Sequence, residues 1–190
     1  MSRREVLKSL TRGVATGSMM CVIPVEVAER VHSLIERERA PGGGNSPKFF
    51  DEHQYKTLQA LCEAIIPAHE DSGGAIKAGA PEFIDLLTSE NADYQLKLGG
   101  GILWLDSACG DRFGTKYLDC SGDQQRQMLE SIAYRKNAQA DPGLSQGIVF
   151  FSLLRSLTAD GYFTSKIGIQ YLGYIGNASL AEFPGCPDTE

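Results

Sequence analysis

Residues 49–87 read FFDEHQYKTLQALCEAIIPAHEDSGGAIKAGAPEFIDLL, and this stretch decides the fold class. Asp51 with Gln54 three residues later matches a helix-capping box. The apolar residues that follow recur at spacings of three and four, which predicts a helix with one buried face. Pro67 ends this helix, and Pro81 begins a second one, because the first helical turn needs no N–H donor there. The apolar face of the first helix consists of Tyr55, Leu58, Leu61, Cys62, Ile65 and Ile66.

Helical spacing of apolar residues continues from this stretch in both directions. Residues 26–39 form an amphipathic pattern before it, and residues 92–113, 119–137 and 144–165 follow it, the last being the most apolar. No stretch alternates with a period of two, so the sequence predicts an all-α protein, a small irregular helical bundle. Residues 166–190 are rich in Gly and Tyr, which predicts an extended and irregular C-terminal segment.

Three consecutive glycines, Gly99 to Gly101, interrupt the predicted helix at residues 92–113. Each glycine in a helix interior costs about 1 kcal/mol relative to alanine. We therefore expect a kink, a break or a close helix crossing at this point. A dinucleotide-binding loop would need the pattern G-x-G-x-x-G between a strand and a helix. Here no strand precedes the glycines and Trp104 disrupts the pattern, so nucleotide binding by this chain is not predicted.

The N-terminal residues resemble an export signal. Ser2–Lys8, SRREVLK, places the paired Arg3 and Arg4 before an apolar pair and a lysine, as twin-arginine signals do. Such signals are addresses read by a translocase. Residues 13–25 are uncharged and too short to span a bilayer, which needs about 20 apolar residues. The alternative is a basic helix start that happens to contain two arginines. We divide the chain into residues 1–28 (signal region), 29–48 (short helix and flexible linker) and 49–190 (helical domain).

The signal predicts a periplasmic protein, exported by the twin-arginine route and either free or attached to the membrane through a partner. Residues 1–12 carry four basic residues and one acidic residue, which leaves 14 basic and 23 acidic residues and a net charge of −9 in the remainder. Binding to nucleic acid depends largely on attraction to phosphate. An acidic domain is therefore not expected to bind nucleic acid.

Five cysteines are present, and Cys21 lies within the signal region. The other four would meet an oxidising compartment after export, where disulfides persist. Four cysteines allow three pairings, and the sequence leaves the choice among them open. No two cysteines have C-x-x-C spacing, so neither a redox motif nor a zinc ribbon is predicted. The four cysteines outside the signal are Cys62, Cys109, Cys120 and Cys186.

Residues with catalytic potential are few. His69 stands beside Glu70 and Asp71, and His with carboxylates suits divalent metals. Three consecutive residues rarely bind one ion together, so a solvated turn explains this run better. Asp106 and Asp111 share no helix face and are expected to be solvated. No Ser–His or Cys–His combination has the pattern of an activated nucleophile.

Four aromatic residues stand near the C-terminus among glycines, in DGYFTSKIGIQYLGYIGN. Tyr is enriched at protein interfaces, and a glycine-rich backbone allows a partner to approach closely. The alternative is a segment that wraps its own core, and both interpretations stay open. The predicted partner interface consists of Tyr162, Phe163, Tyr171, Tyr174 and Cys186.

The chain resembles the gluconate 2-dehydrogenase subunit 3 family. The resemblance is carried by the twin-arginine start and by three further segments, residues 58–87, 121–133 and 161–177. Its most characteristic element is IIPAHEDSGGAIKAGAPEFID, in which a helix ends at Ile-Ile-Pro and an acidic turn and small residues precede the next helix. The resemblance implies that residues 49–190 form a helical small-subunit domain.

What the resemblance implies is a role within a complex. This chain would be the non-catalytic small subunit of a periplasmic sugar or glycoside dehydrogenase. The catalytic subunit would be of the glucose–methanol–choline type and would bind FAD, whereas this chain would bind no cofactor. A cytochrome c subunit accepts the electrons in many such complexes. The small subunit supports folding of the catalytic subunit and carries it through the twin-arginine translocase.

Two points stay open beside this resemblance. Cys186 could form a disulfide with another subunit or with a cysteine of its own chain. The function could also differ, because the chain could be an independent periplasmic metal-dependent enzyme that uses His69 and Glu70, or a free-standing binding domain.

Overall fold

The computed structural model describes residues 23–39 and 46–174, and every regular element in these two ranges is a helix. The all-α prediction is therefore confirmed. The first half contains α1 (Val25–Arg39), α2 (Glu52–Ile65), α3 (Gly74–Ala78), α4 (Ala80–Ser89) and α5 (Ala92–Tyr94). The second half contains a π-helical turn (Gln95–Gly99), α6 (Gly100–Phe113), a 3-10 turn (Tyr117–Asp119), α7 (Gly122–Ile132), α8 (Asn137–Ala140), a second 3-10 turn (Pro142–Leu144), α9 (Ser145–Phe163) and α10 (Lys166–Tyr171).

The ends of α2 and α4 follow the sequence pattern. The Asp51 carboxylate accepts the N–H of Gln54 at 2.7 Å, and the Gln54 side chain accepts the N–H of Asp51 at 3.3 Å, so the predicted capping box is formed. Pro67 follows the last residues of α2. Pro81 lies in the first turn of α4, as predicted. Gly79 joins α3 to α4 with a φ of 86°, a left-handed conformation that favours glycine.

The central element is α9, which packs against α2, α3, α4 and α6. Phe150 and Leu154 face the core in its first half, and Leu157 and Tyr162 do so in its second half. A large part of the core therefore lies between α9 and the helices α2, α3, α4 and α6.

The helix α6 crosses α9 at close range. Gly101 of α6 receives the side chain of Phe150, and Gly147 of α9 receives the ring of Trp104, so that a Cβ atom at either glycine would overlap the ring. Of the three expected outcomes, a kink, a break or a close helix crossing, the structure shows a close crossing at Gly101. The backbone is wound as a π-helical turn up to Gly99, and Gly100 has open space around it. Only the third of the three glycines serves the crossing directly.

The helix α1 is part of the bundle. Its apolar side packs against α4, with Ala28, Val31 and Ile35 buried. Arg39 at its end donates to the carbonyl oxygens of Ile76 at 2.9 Å and Lys77 at 3.1 Å. Burying a Val or Ile side chain contributes about 1.5–3 kcal/mol. The helix that the sequence places between signal and domain is therefore held to the core by packing and by hydrogen bonds.

The C-terminal segment differs from its prediction as an irregular chain, because Lys166–Tyr171 forms the helix α10. The Ser165 hydroxyl caps this helix by accepting the N–H of Gly168 at 3.0 Å. Gly168 lies against the backbone of Tyr162, where a Cβ atom would overlap the carbonyl group. None of the helices in the described part of the chain is both long and apolar enough to cross a membrane.

Candidate functional site

A cluster of exposed apolar residues lies at the end of the bundle where α9 meets α10. We call it the terminal patch, and its members are between 43% and 59% exposed. Phe163 belongs to the last turn of α9, and the others belong to α10 and the residues after it. Large apolar side chains that are exposed as a group mark interaction sites more often than single ones do. The terminal patch consists of Phe163, Tyr171, Leu172 and Tyr174.

Tyr162 supports this patch from below and is not part of the surface. Its side chain is 1% exposed, and its hydroxyl donates to the Ser72 carbonyl oxygen at 2.8 Å. Its ring meets the rings of Phe163 and Tyr171 edge-on, at centroid distances of 5.0 and 6.4 Å. The structure therefore corrects the sequence assignment of Tyr162 as a contact residue. A buried tyrosine needs a hydrogen-bond partner, and Ser72 provides it.

The predicted acidic turn lies next to the terminal patch. Its side chains His69, Glu70 and Asp71 are all exposed. The link to the patch is the bond between Tyr162 and Ser72, together with the contact between Gly73 and Ile167 of α10. One end of the molecule thus presents aromatic rings beside two carboxylates. A partner surface with an apolar area and neighbouring Lys or Arg residues would complement it.

A second concave surface lies on the side of the molecule. A groove of about 570 Å³ runs between α2, α7 and α9. Apolar side chains from these three helices line it, together with two arginines and the exposed ring of Tyr134. We call it the side groove. Its lining includes Ala60, Ala64, Leu129, Phe151, Arg126, Arg155 and Tyr134.

Among the described residues, no group of three or more His, Cys, Asp or Glu side chains is placed to hold a metal ion. His69, Glu70 and Asp71 are exposed on one turn, as the sequence indicates for a solvated run. Arg3, Arg4 and Cys186, which the sequence singles out, lie outside the described residues. Their predicted roles stay predictions.

Asp106 corrects the expectation of a solvated carboxylate. One of its carboxylate oxygens, Oδ2, lies 2.6 Å from Nε2 of His53. The other, Oδ1, accepts the N–H of Tyr117 at 3.1 Å. These contacts join α2, α6 and the first 3-10 turn. The pair has the form of a His–Asp dyad, but no Ser or Cys side chain of the described residues is bonded to His53. Its role in this geometry is to hold three elements together.

Asp85 is the residue that sequence reasoning missed. It is 3% exposed, and its carboxylate accepts the backbone N–H groups of Lys48, Phe49 and Phe50 at 2.5, 3.1 and 3.2 Å. Buried carboxylates are rare unless they are paired or hydrogen-bonded. The signal in the sequence is an aspartate in the apolar run PEFIDLL, in a position where the helix pattern expects an apolar residue.

The helix α1 reaches the same end of the molecule as the terminal patch. His32 stacks on Phe83 at a centroid distance of 5.2 Å, and its Nε2 lies 2.9 Å from the Thr164 hydroxyl. Glu36 forms an ion pair with Lys166 of α10 at 2.8 Å. Burial lowers the pKa of His32 below its ordinary value of 6.5, and the Glu36 carboxylate partly opposes this shift.

The terminal patch, the side groove and the contacts of Asp85 and Asp106 define a class of protein. It is a small helical protein that has surfaces suited to contact with a partner, and its elements are held together by partly buried and buried polar side chains. The family model for gluconate 2-dehydrogenase subunit 3 matches residues 52–185, which is more than half of the chain. The chain therefore belongs to the gluconate 2-dehydrogenase subunit 3 family, as its sequence resemblance indicates. No curated protein and no solved structure matches the chain.

Proposed function

We propose that this chain is the non-catalytic small subunit of a periplasmic sugar or glycoside dehydrogenase, and that it supports the folding and twin-arginine export of the catalytic subunit. The observation that carries the proposal is the family match over residues 52–185. The family description names a subunit of a dehydrogenase, so association with a catalytic partner is the starting point. We propose that this partner is of the glucose–methanol–choline type and binds FAD, and that a cytochrome c subunit accepts its electrons.

The export part of the proposal is supported by the paired Arg3 and Arg4 and by the packing of α1. The signal region leads directly into α1, whose Val31 is fully buried in the bundle. The paired arginines therefore belong to the same chain as a helix that is docked on the folded domain. A twin-arginine translocase carries folded cargo, so a signal joined to a folded domain suits an escort of a flavoprotein that must bind its cofactor before export.

The partner contact is assigned to the terminal patch. Aromatic residues dominate the energy of many protein interfaces, and the two tyrosines and one phenylalanine here are exposed together. The acidic turn beside them gives the contact a charge preference. The side groove is the competing surface, because it is concave and partly apolar. The two surfaces share α9 but involve different residues of it, so they can be tested separately.

Two other functions would need different chemistry. An independent metal-dependent enzyme would use His69 and Glu70, which are exposed neighbours on one turn. A free-standing binding domain would use one of the two surfaces without a catalytic subunit. Neither has an observation in its favour comparable to the family match, but both make distinct predictions in the experiment below.

The experiment is purification of the full chain from its native cells, followed by assay of what accompanies it. We expect a larger polypeptide with bound flavin, and sugar-dependent reduction of an artificial electron acceptor by the complex. The chain separated from this polypeptide should show no such activity. Oxidation of a sugar by the isolated chain would refute the proposal, as would purification of the intact chain without any flavoprotein. Replacing His69 with Ala should leave the activity of the complex unchanged, and its loss in an assembled complex would favour the metal enzyme.

A further inference from the structure

Three cysteines lie within the described residues, and two of them meet at one end of α6. Cys109 stands in the second half of α6, and Cys120 follows the 3-10 turn directly. Their side chains are 0% and 7% exposed, and both carry free thiols in this structure. The third, Cys62, lies elsewhere in the core, on α2, with its sulfur 3.6 Å from the hydroxyl of Thr158.

The backbone brings Cys120 to the face of α6 that carries Cys109. Tyr117 donates its N–H to Asp106, which precedes Cys109 by three residues and therefore shares its helix face. Cys120 in turn donates its N–H to the carbonyl oxygen of Tyr117 at 3.2 Å. The 3-10 turn is thus fixed on α6 at Asp106, and the cysteine that ends the turn is held close to this helix.

The two thiols interact where they meet. Burial raises the pKa of the Cys109 thiol to about 12, and the neighbouring Cys120 thiol adds to the rise through its charge and a hydrogen bond. Burial likewise raises the pKa of the Cys62 thiol to about 12, where Thr158 opposes the shift and no other cysteine contributes. The hydrogen bond between the two thiols and the anchoring of the 3-10 turn on α6 together place Cys109 beside Cys120, whereas the thiol of Cys62 lies against Thr158.

We propose that Cys109 and Cys120 form an intrachain disulfide when the folded protein meets an oxidising disulfide. The choice of this pair among the pairings that the sequence leaves open rests on their contact. Its occurrence in the cell rests on the proposed periplasmic location, because disulfides persist in that compartment. The contact itself does not depend on that location.

The reaction is a thiol–disulfide exchange in two steps. Cys120 is the more exposed sulfur, so its thiolate attacks the oxidant disulfide and forms a mixed disulfide while one oxidant thiolate leaves. The thiolate of Cys109 then attacks the Cys120 sulfur, and the second oxidant thiolate leaves. The protein loses two protons and two electrons, and the oxidant disulfide is reduced to two thiols. The oxidant is a small-molecule disulfide such as oxidised glutathione, or a protein disulfide of the same reactivity.

The test oxidises the purified, folded full chain with oxidised glutathione and then alkylates the remaining thiols before and after unfolding. Arg112 and Lys116 lie between the two cysteines, so trypsin separates them into different peptides unless a disulfide joins them. We expect a linked pair of peptides that contains Cys109 and Cys120 and lacks two hydrogens, and a Cys62 that is alkylated only after unfolding. Treatment with a reductant should release the two peptides.

Cys62→Ser serves as the matched control and should form the same linked pair. Cys120→Ser should leave Cys109 reduced, with no link to another cysteine. The proposal is overturned if Cys109 and Cys120 are both alkylated after unfolding, carry separate glutathione groups, or pair with other cysteines. Because the purified chain is oxidised outside the cell, this failure leaves the export proposal untouched. Failure of export would equally leave the thiol contact and its test unchanged.

Discussion

Asp85 anchors the residues that directly precede α2 to the bundle. Its buried carboxylate accepts hydrogen bonds from three backbone N–H groups, those of Lys48, Phe49 and Phe50. The same segment carries Phe50 into the core, so the carboxylate and the ring act on one short stretch of chain. An apolar residue at position 85 would satisfy the helix pattern, but it would leave these donors without an acceptor.

We predict that Asp85→Ala lowers the free energy of unfolding by about 3 kcal/mol or more, because hydrogen bonds to a charged group contribute about 1.5–3 kcal/mol each. Urea unfolding followed by circular dichroism measures the change. Asp93→Ala is the control, since this exposed carboxylate forms only an i,i+4 ion pair with Lys97 and should contribute under 0.5 kcal/mol. Equal effects of the two substitutions would contradict the role given to Asp85.

His32 makes the docking of α1 sensitive to pH. The pKa of His32 is lowered in the folded protein, so the unfolded chain binds this proton more readily as the pH falls below 6.5. The contribution of His32 is therefore complete above this pH and declines as the pH drops below it. The carboxyl of Asp160, whose pKa is raised by burial, acts in the opposite direction at more acidic pH.

We predict that the free energy of unfolding decreases between about pH 7.5 and 5.5, by at most about 1.4 kcal/mol for each pH unit from this residue. His32→Gln should reduce that slope while keeping a polar group near Thr164. Denaturant unfolding at several pH values measures the slope for both proteins. An unchanged slope in the variant would assign the pH dependence to other groups.

At the scale of elements, the contact between α6 and α9 depends on two glycines that face aromatic rings. Gly100 and Gly101 are adjacent in sequence and differ in environment. The first has open space at its Cβ position, and the second touches Phe150, which is 1% exposed. This pair separates the effect of helix propensity from the effect of packing.

We predict opposite results for the two alanine substitutions. Gly101→Ala should lower the free energy of unfolding by about 1–3 kcal/mol or more, because Phe150 must move in a packed core. Gly100→Ala should raise it by up to about 1 kcal/mol, because alanine favours the helix and meets no atom. Thermal unfolding of both variants measures this difference. Stabilisation by both would show that the two helices do not cross closely.

The elements that the sequence predicted well are those decided by neighbours along the chain. The capping box at Asp51 and the first-turn Pro81 involve residues within one helical turn, and both are formed. The three consecutive glycines marked an irregular point of the helix, but the sequence left a kink, a break and a close crossing open, and Gly101 shows the crossing. The local pattern was therefore enough to define the fold class and most of the helices.

The features that the sequence did not predict depend on contacts between distant residues. The helix α10 needs the cap from Ser165 and the close approach of Gly168 to Tyr162. Tyr162 was assigned to the surface because its neighbours are aromatic and glycine-rich, but its partner Ser72 lies 90 residues away. Asp106 was expected to be solvated, and its partner His53 lies 53 residues away in sequence. Contacts between residues so far apart produce no periodic pattern in the sequence, so they cannot be predicted from spacing.

At the scale of the whole molecule, we propose that the catalytic subunit binds to one end of the bundle, at the terminal patch. Two exposed tyrosines provide a matched comparison, since Tyr171 belongs to the terminal patch and Tyr134 lines the side groove. Both rings are more than half exposed, but Tyr171 also meets the buried ring of Tyr162 edge-on at 6.4 Å, so circular dichroism must first show that both Asp variants fold. The difference between the two variants reports which surface the catalytic subunit contacts.

We predict that Tyr171→Asp weakens binding to the catalytic subunit by at least about tenfold, because it places a charge at the centre of an aromatic contact. Tyr134→Asp should change the dissociation constant by less than about twofold. Titration of the purified subunits by calorimetry or interferometry measures both constants. The reverse result would assign the contact to the side groove, and the terminal patch would then lose its proposed role.

The central claim is that this chain carries its catalytic partner out of the cytoplasm. The most direct measurement is flavin-dependent dehydrogenase activity in periplasmic and cytoplasmic fractions of cells that make the catalytic subunit with different forms of this chain. We predict periplasmic activity with the unaltered chain and with Arg12→Lys, and its retention in the cytoplasm with Arg3→Lys and Arg4→Lys together. Continued appearance of the catalytic subunit in the periplasm with the double variant, or without this chain, would contradict the account.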